Sequence, residues 1–233
     1  MKTVLLRSGY AMPMIGFGTW TLRGEACAEA VKAALLTGYR LIDTAQMYRN
    51  EDAVSEGIRR AGIPREELFL TTKVCAPADS YEGTKEQIQR SLARLGTDYI
   101  DLFLIHEPCR AAPAMWRAMT EARAEGKLRA LGVSNFSARE LRDFIGETGE
   151  VPAVDQAESH VFCPRLALRD SCAAAGAVMQ AWSPFAEGKT IFLQIPSFSP
   201  SQENTGRPLP RPPCGISSSS AFPPSRRAPA RSG

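Results

Sequence analysis

The sequence lacks any hydrophobic run that approaches the length of a membrane-spanning helix. No stretch reaches the roughly 18 apolar residues that such a helix needs. The chain opens with Met1, Lys2 and Thr3 and passes straight into V-L-L-R, which is too short for the apolar core of a secretory signal peptide. We therefore expect a cytoplasmic protein that has no membrane partner.

Closely spaced cysteine pairs are also lacking. The six cysteines are scattered and form no C-x-x-C motif; they are Cys27, Cys75, Cys109, Cys163, Cys172 and Cys214. This pattern favours free thiols in a reducing compartment. His106, Glu107, Cys109 and His160 are the group that comes nearest to a metal site, but their spacing matches no zinc signature. We expect no bound metal.

A strong excess of charge is the third feature that the chain lacks. The net charge is +3, and it is unevenly distributed. Residues 194–233 carry five arginines against one glutamate, which gives this segment +4 and leaves −1 for the remainder. Residues 1–193 are therefore close to neutral and offer no strongly basic surface that would bind nucleic acid. The apolar share of 44% and the charged share of 23% are ordinary for a soluble globular protein.

Seven apolar runs of strand length alternate with segments of helical periodicity. The runs lie at 15–20, 41–43, 68–74, 99–106, 130–135, 153–158 and 178–184. Such alternation predicts βαβ units and a parallel sheet, here preceded by a small hairpin over residues 3–14. A closed barrel of eight such units typically needs about 250 residues. In this chain the pattern stops after the seventh strand.

Three helix starts are predicted from capping residues. Asn50 is placed to cap the helix that begins with Glu51. Thr84 with Gln87, and Ser137 with Glu140, both fit the spacing of a capping box.

The composition changes sharply near residue 189. Residues 194–233 contain nine prolines and nine serines, with no Asp or Lys and no helical or strand period. A segment of this kind cannot bury enough apolar surface to offset the entropy of ordering. We divide the chain into a β/α domain over 1–189 and a disordered tail, rich in Pro, Ser and Arg, over 190–233.

Three of the predicted strands finish on titratable side chains. These are Asp43, Lys73 and His106, and Tyr48 follows Asp43 by five residues. Chemistry in a parallel barrel sits where the strands end and the loops begin, so we expect the four side chains to converge. Taken singly, each also fits a plainer interpretation, as a cap, a surface residue or a solvated charge.

Seven motifs in order along residues 1–188 give the chain its resemblance to a known family. They are G-F-G-T-W (16–20), G-Y-R-L-I-D-T-A-x-x-Y-x-N-E (38–51), T-T-K (71–73), D-Y-I-D-L-F-L-I-H (98–106), G-V-S-N-F (132–136), Gln156 within A-V-D-Q, and W-S-P-F (182–185). With them the chain resembles the aldo-keto reductases, in particular those of bacterial type. The resemblance implies a (β/α)₈ TIM barrel, here incomplete. It also implies reduction of a small aldehyde or ketone by hydride from NADPH, with NADH as an alternative, in a monomer.

The resemblance also implies a role for each of the four strand-end residues. Tyr48 would protonate the substrate oxygen, which takes on negative charge as hydride arrives. A free tyrosine has a pKa of about 10, and we expect the Lys73 cation to lower it. Asp43 would hold Lys73 charged and in place. His106 would donate a hydrogen bond to the same oxygen.

Further residues would contact the cofactor if the resemblance holds. Ser134 and Asn135 would bind the nicotinamide carboxamide beside Gln156, and Trp182 would stack on the ring, although a core tryptophan is the plainer alternative. The full set is Gly18, Thr19, Trp20, Asp43, Ser134, Asn135, Gln156, Trp182, Ser183, Pro184 and Phe185. The run G-F-G-T-W-T is not the dinucleotide fingerprint G-x-G-x-x-G.

The chain departs from the family pattern in two places. Glu107 stands where many members have tryptophan after the histidine, which changes the expected substrate preference. The eighth strand, the last helices and the Lys-Ser…Arg segment that grips the adenosine 2′-phosphate have no counterpart after about residue 188, as in a truncated or frame-shifted product. A catalytically impaired or non-catalytic protein that senses a cofactor or binds a partner is therefore the alternative function.

Overall fold

The computed structural model describes residues 1–74 and 80–186, together with the backbone of residues 217 and 218. Seven parallel strands in sequence order form its central sheet. They are β3 (Gly16–Gly18), β4 (Leu41–Asp43), β5 (Phe69–Val74), β6 (Ile100–Ile105), β7 (Leu128–Ser134), β8 (Val154–Glu158) and β9 (Val178–Trp182). All seven predicted strands are present, and each strand end lies within two residues of the end of its apolar run.

Six helices connect these strands and cover the outer face of the sheet. They are α1 (Gly24–Leu36), α2 (Glu51–Ala61), α3 (Tyr81–Leu95), α4 (Ala112–Ala124), α5 (Ala138–Thr148) and α6 (Leu166–Ala175). The larger apolar core lies between helices and sheet, where Ile88, Phe103 and Met119 are fully buried. Two single turns of 3₁₀ helix, Gln46–Tyr48 and Arg65–Glu67, follow β4 and α2.

The sheet curls strongly. Gln156 on β8 donates a hydrogen bond of 2.7 Å to Asp43 on β4, although β5, β6 and β7 lie between these strands in the sheet order. Four strand spacings of about 4.8 Å would separate the two strands by roughly 19 Å if the sheet were flat. The contact therefore requires a strongly rolled sheet, and the seven core strands in the described residues form an incomplete barrel, as the sequence predicts.

A second apolar core fills the concave side of this sheet. It contains Leu41, Leu102 and Leu104 from the strands, and also Leu6 and Met12 from the N-terminal hairpin. The hairpin pairs β1 (Thr3–Leu5) with β2 (Ala11–Pro13) in antiparallel register, as predicted. Its buried side chains close the end of the barrel opposite to the strand ends that carry the polar residues.

One short pairing occurs where the sequence predicts no strand. Residues Ser217–Ser218 form β10, which pairs in parallel with Phe17 and Gly18 of β3. An edge strand offers unpaired backbone groups that bond to any extended backbone, whatever its side chains. The rest of the predicted tail, and the proposed boundary at 189/190, lie outside the described residues.

The structure confirms one of the two predicted capping boxes and contradicts the other. The Ser137–Glu140 capping box is confirmed, with both reciprocal bonds present. The Thr84–Gln87 box is wrong, because α3 begins one turn earlier and Ser80 is its cap. Thr84 instead lies inside the helix, where its hydroxyl donates to the Ser80 carbonyl.

Asn50 takes the N-cap position of α2, but its side chain does not cap the helix. Its amide nitrogen donates to the carbonyls of Thr19 and Leu22, at 3.0 and 3.1 Å, and its oxygen accepts from Thr44 at 2.8 Å. The side chain therefore ties the loop after β3 to the loop after β4, and both loops border the candidate site.

The cysteines in the described part of the chain, Cys27, Cys109, Cys163 and Cys172, are free. Cys75 and Cys214, for which free thiols are also expected, lie outside the described residues. Among the described helices none is long and apolar enough to span a membrane.

Candidate active site

The carboxyl ends of the parallel strands place the predicted polar side chains at one end of the barrel. Asp43 is the last residue of β4, Lys73 is the penultimate residue of β5, and His106 directly follows β6. Tyr48 reaches the same place from the 3₁₀ turn after β4. The four side chains meet there through direct contacts.

Lys73 lies at the centre of this group. Its ammonium donates to a carboxylate oxygen of Asp43 at 2.5 Å and to the Thr44 carbonyl at 3.0 Å, and it lies 3.4 Å from the Tyr48 hydroxyl. The side chain is only 1% exposed. Burial disfavours the charged form, but attraction to Asp43 and to the Tyr48 oxygen outweighs it and raises the pKa of Lys73. A buried, permanently charged ammonium therefore sits beside the phenol.

The second Asp43 oxygen is also bonded. It accepts from Gln156 at 2.7 Å, and the Gln156 amide also donates to Gln180 on β9 at 2.9 Å. Both carboxylate oxygens are thus held by fixed donors, which keeps the charge of Asp43 directed at Lys73.

The structure corrects the expected pKa of Tyr48. Lys73 acts in the predicted direction and lowers it, but burial has the larger effect, and the pKa of Tyr48 is raised above its ordinary value. Sequence spacing does not reveal how deeply a side chain is buried, so the balance was missed. Tyr48 therefore keeps its proton near neutral pH.

His106 is a neutral imidazole in this site. Burial and the nearby Lys73 charge lower its pKa to about 3. Its ring packs edge-on against Tyr48, with 5.8 Å between ring centroids. His106 Nδ1 is buried and has no hydrogen-bond partner among the described residues. A neutral imidazole with a free ring nitrogen can donate one hydrogen bond to a bound oxygen.

A buried polar network that sequence reasoning missed holds the turn that carries Tyr48. The Gln46 amide donates to Ser91 on α3 at 2.8 Å, and Ser91 donates to Glu51 on α2 at 2.8 Å. Thr72, next to Lys73, donates to the same Glu51 oxygen at 2.8 Å. The turn, α2 and β5 are thereby linked behind the site. Amino-acid type alone gives no signal for such a network, since its members lie far apart along the chain.

The residues expected at the nicotinamide ring lie at the ends of β7 and β9. The Ser134 hydroxyl is buried and unpaired within the described part of the chain. Asn135 adopts a left-handed backbone conformation with φ of 65°. Its side-chain oxygen accepts from the Trp182 indole at 2.8 Å, and its amide donates to Glu107 at 2.7 Å.

The loop after β3 lines the candidate site on the side of Asp43 and Tyr48. Gly18 pairs with Asp43 in the sheet, and Thr19 is fully buried with its hydroxyl donating to the Asp43 carbonyl at 3.1 Å. Trp20 lies against Tyr48, with ring centroids 4.8 Å apart, and stays 42% exposed.

After β9, Ser183 is buried, and both Pro184 and Phe185 are half-buried. These three residues continue from Trp182 at the end of the strand. They therefore follow directly on the strand end that carries the proposed nicotinamide-stacking residue.

Metal ligation finds no support in the described residues, because no group of three His, Cys, Asp or Glu side chains could hold an ion. His160 is instead bonded to Glu158 at 3.0 Å and accepts from the Phe162 amide at 3.2 Å. Both of its ring nitrogens are thus occupied within the loop after β8.

Comparisons with known proteins agree with this geometry. The model of the aldo/keto reductase family matches residues 14–201. Glyoxal reductase of Bacillus subtilis (strain 168) is 41% identical over 195 residues, which cover 83% of this chain and 71% of that protein.

Two solved structures extend the comparison. An aldo-keto reductase from a Medee basin deep-sea metagenome library superimposes with a TM-score of 0.79 at 40% identity, over 82% of this chain and 71% of that one. The Bombyx mori aldo-keto reductase in complex with NADP gives a TM-score of 0.75 at 32% identity, over 90% and 71%. The chain therefore belongs to the aldo/keto reductase family.

Proposed function

We propose that this protein reduces aldehydes or ketones to alcohols, with a hydride from NADPH and a proton from Tyr48. One observation carries the proposal. The fully buried Lys73 ammonium is bonded to Asp43 and lies 3.4 Å from the Tyr48 hydroxyl. A cation fixed beside a phenol stabilises the phenolate that remains after proton transfer.

The chemistry assigns one task to each side chain. A bound nicotinamide would supply the hydride that adds to the carbonyl carbon. The carbonyl oxygen then gains charge, and Tyr48 transfers its phenolic proton to it. Although burial raises the pKa of Tyr48, an alkoxide is a far stronger base than a phenolate, so the transfer stays downhill. Solvent later returns a proton to Tyr48.

His106 is proposed to orient the carbonyl. Its lowered pKa, about 3, keeps the ring neutral at physiological pH, so it offers a hydrogen bond without competing as an acid. Its position edge-on to Tyr48 lets both groups address one substrate oxygen.

The nicotinamide end of a cofactor fits the residues that are present. The buried Ser134 hydroxyl lacks a partner in the described chain, and a carboxamide offers both a donor and an acceptor for it. Asn135 directly follows Ser134 at the end of β7, and Gln156 pairs with Ser134 from β8. The Trp182 indole, held by Asn135, presents a flat apolar face for the ring. Ser134, Asn135, Gln156 and Trp182 would hold this end.

NADPH is proposed over NADH because the Bombyx mori relative is described in complex with NADP. We expect no counterpart of the family's 2′-phosphate segment after about residue 188, and these positions lie outside the described part of the chain. We further propose a monomer, as the resemblance implies. The free thiols favour a reducing cytoplasm.

The direct test uses the purified 233-residue protein. NADPH fluorescence is titrated first, and NADPH oxidation is then followed with a panel of aldehydes and diketones. We expect saturable binding and turnover that require both cofactor and carbonyl. Saturable NADPH binding without turnover of any carbonyl would instead favour the non-catalytic alternative. No binding of NADPH would contradict the proposal.

A further inference from the structure

Glu107 places a carboxylate at the mouth of the site. It follows His106 directly at the end of β6, and its side chain is exposed. Its one hydrogen bond within the described chain is to the Asn135 amide, at 2.7 Å. The carboxylate is therefore held next to the residues proposed to bind the carbonyl and the nicotinamide, and it remains open to solvent.

No cation neutralises this carboxylate within residues 1–74 and 80–186, since none of the ion pairs there includes Glu107. Partial burial raises the pKa of Glu107, and the Asn135 hydrogen bond opposes that rise. The charge also acts on the reaction centre. Burial is the main cause of the raised pKa of Tyr48, and Glu107 is among the charges that add to it. The Asn135 amide donates both to Glu107, at 2.7 Å, and to the His106 carbonyl, at 3.3 Å, which places the carboxylate beside the His106 end of the site.

The other charges of the site cancel. Lys73 and Asp43 form a buried pair of opposite sign, and His106 is neutral. Together with Glu107, these three side chains carry a net charge of −1. The exposed Trp20 ring, which lies against Tyr48, adds an apolar surface to the same group of residues.

We propose that Glu107 selects substrates by charge, favouring carbonyl compounds with a cationic group on an aromatic or apolar body and disfavouring those with a carboxylate. This inference rests on the proposed function and names its substrate class. The Coulomb interaction of a ligand charge with a partly exposed carboxylate a few ångströms away is modest. We expect an effect of about tenfold for each change of sign.

The test compares three ligands of one shape: benzaldehyde, 4-carboxybenzaldehyde and 4-(trimethylammonio)benzaldehyde. The variant is Glu107→Gln, which keeps an oxygen to accept from Asn135 and removes the charge. Glu147→Gln is the matched control. Glu147 is exposed near the end of α5, which runs antiparallel to the strands and so ends away from the site.

Two readouts are measured at pH 8. The first is kcat/KM with NADPH. The second is ligand binding by saturation-transfer NMR with and without NADP⁺, which cannot reduce an aldehyde. For the wild type and Glu147→Gln we expect a preference for the cation over the carboxylate of at least about tenfold. Glu107→Gln should bring that ratio close to one, mainly by improving the carboxylate.

The outcomes separate this inference from the proposed function. Charge-dependent binding that Glu107→Gln abolishes, without turnover, supports the inference and contradicts the function. Turnover of benzaldehyde with an unchanged ratio in Glu107→Gln contradicts the inference alone. An equal loss for all three ligands would show that Glu107 only positions Asn135. That result, or no binding of any ligand, would overturn charge selection.

Discussion

The Lys73 ammonium and the Asp43 carboxylate lie 2.5 Å apart in the interior, and Lys73 is 1% exposed. Replacing Lys73 by methionine preserves most of the volume and leaves Asp43 without its partner. Breaking a buried pair from one side typically costs about 3–5 kcal/mol. We expect Lys73→Met to lower the free energy of unfolding by an amount of that order, measured by urea denaturation.

The matched control is the double variant Asp43→Asn/Lys73→Met. It removes both charges together. Its loss of unfolding free energy should therefore be smaller than the summed losses of the single variants Asp43→Asn and Lys73→Met. Additive losses would show that the two side chains do not interact energetically, and a Lys73→Met protein as stable as the wild type would contradict the buried pair.

Two glycines provide an opposed pair of predictions for stability. A Cβ on Gly57 of α2 would come within 2.6 Å of the Ala28 carbonyl on α1, whereas a Cβ on Gly146 of α5 would meet nothing within 4 Å. We expect Gly57→Ala to destabilise the fold by about 1–3 kcal/mol. Gly146→Ala should stabilise it by about 0.5–1 kcal/mol, because alanine favours helix. If both variants shift the urea midpoint in the same direction, the close contact between α1 and α2 at Gly57 is refuted.

We expect the buried Asp155 carboxyl to make the unfolding free energy of the protein depend on pH. It is fully buried on β8 with no well-formed hydrogen bond to either oxygen, and burial raises its pKa to about 8. Between the ordinary carboxyl pKa of about 4 and this value, the folded protein holds a proton that the unfolded chain has lost. Stability should therefore fall as pH rises through that window, by at most about 1.4 kcal/mol per unit.

Asp155→Asn removes this titration, so the difference in unfolding free energy between variant and wild type isolates it. We expect Asp155→Asn to be the more stable protein at pH 8, with the advantage shrinking towards pH 4. A difference that does not change over this range would mean that the Asp155 carboxyl has an ordinary pKa.

The neutral state of His106 can be observed directly. With its pKa lowered to about 3, the ring should not titrate between pH 5 and pH 8. The chain has two histidines, so the imidazole signals of a ¹³C-labelled sample can be assigned with a His160→Gln variant. A midpoint for His106 near 6.5 would contradict the burial that the structure assigns to it.

Much of the fold could be predicted because the apolar runs end in polar residues. The run before His106 shows both where β6 lies and which end carries chemistry, since parallel strands all end at one edge. The first residues of the helices were harder to predict. Thr84 and Ser80 both fit a capping residue, and the sequence does not show which backbone leaves the helix.

Contacts between distant residues could not be predicted. Gln180 bonds to Gln156 because β8 and β9 pair in register, and Asn135 joins Glu107 to Trp182 across the ends of three strands. The balance of burial against Lys73 at Tyr48 likewise depends on packing, which spacing along the chain does not encode.

The proton donor is the central element of this account, and Tyr48→Phe tests it most directly. Phenylalanine keeps the ring that packs against Trp20 and His106 and removes only the hydroxyl. In a single-turnover experiment with saturating NADPH and an aldehyde, we predict a rate of NADPH oxidation at least about 100-fold below wild type, within the range of general acid catalysis. NADPH affinity should stay within about twofold. A Tyr48→Phe rate within tenfold of wild type would contradict the account.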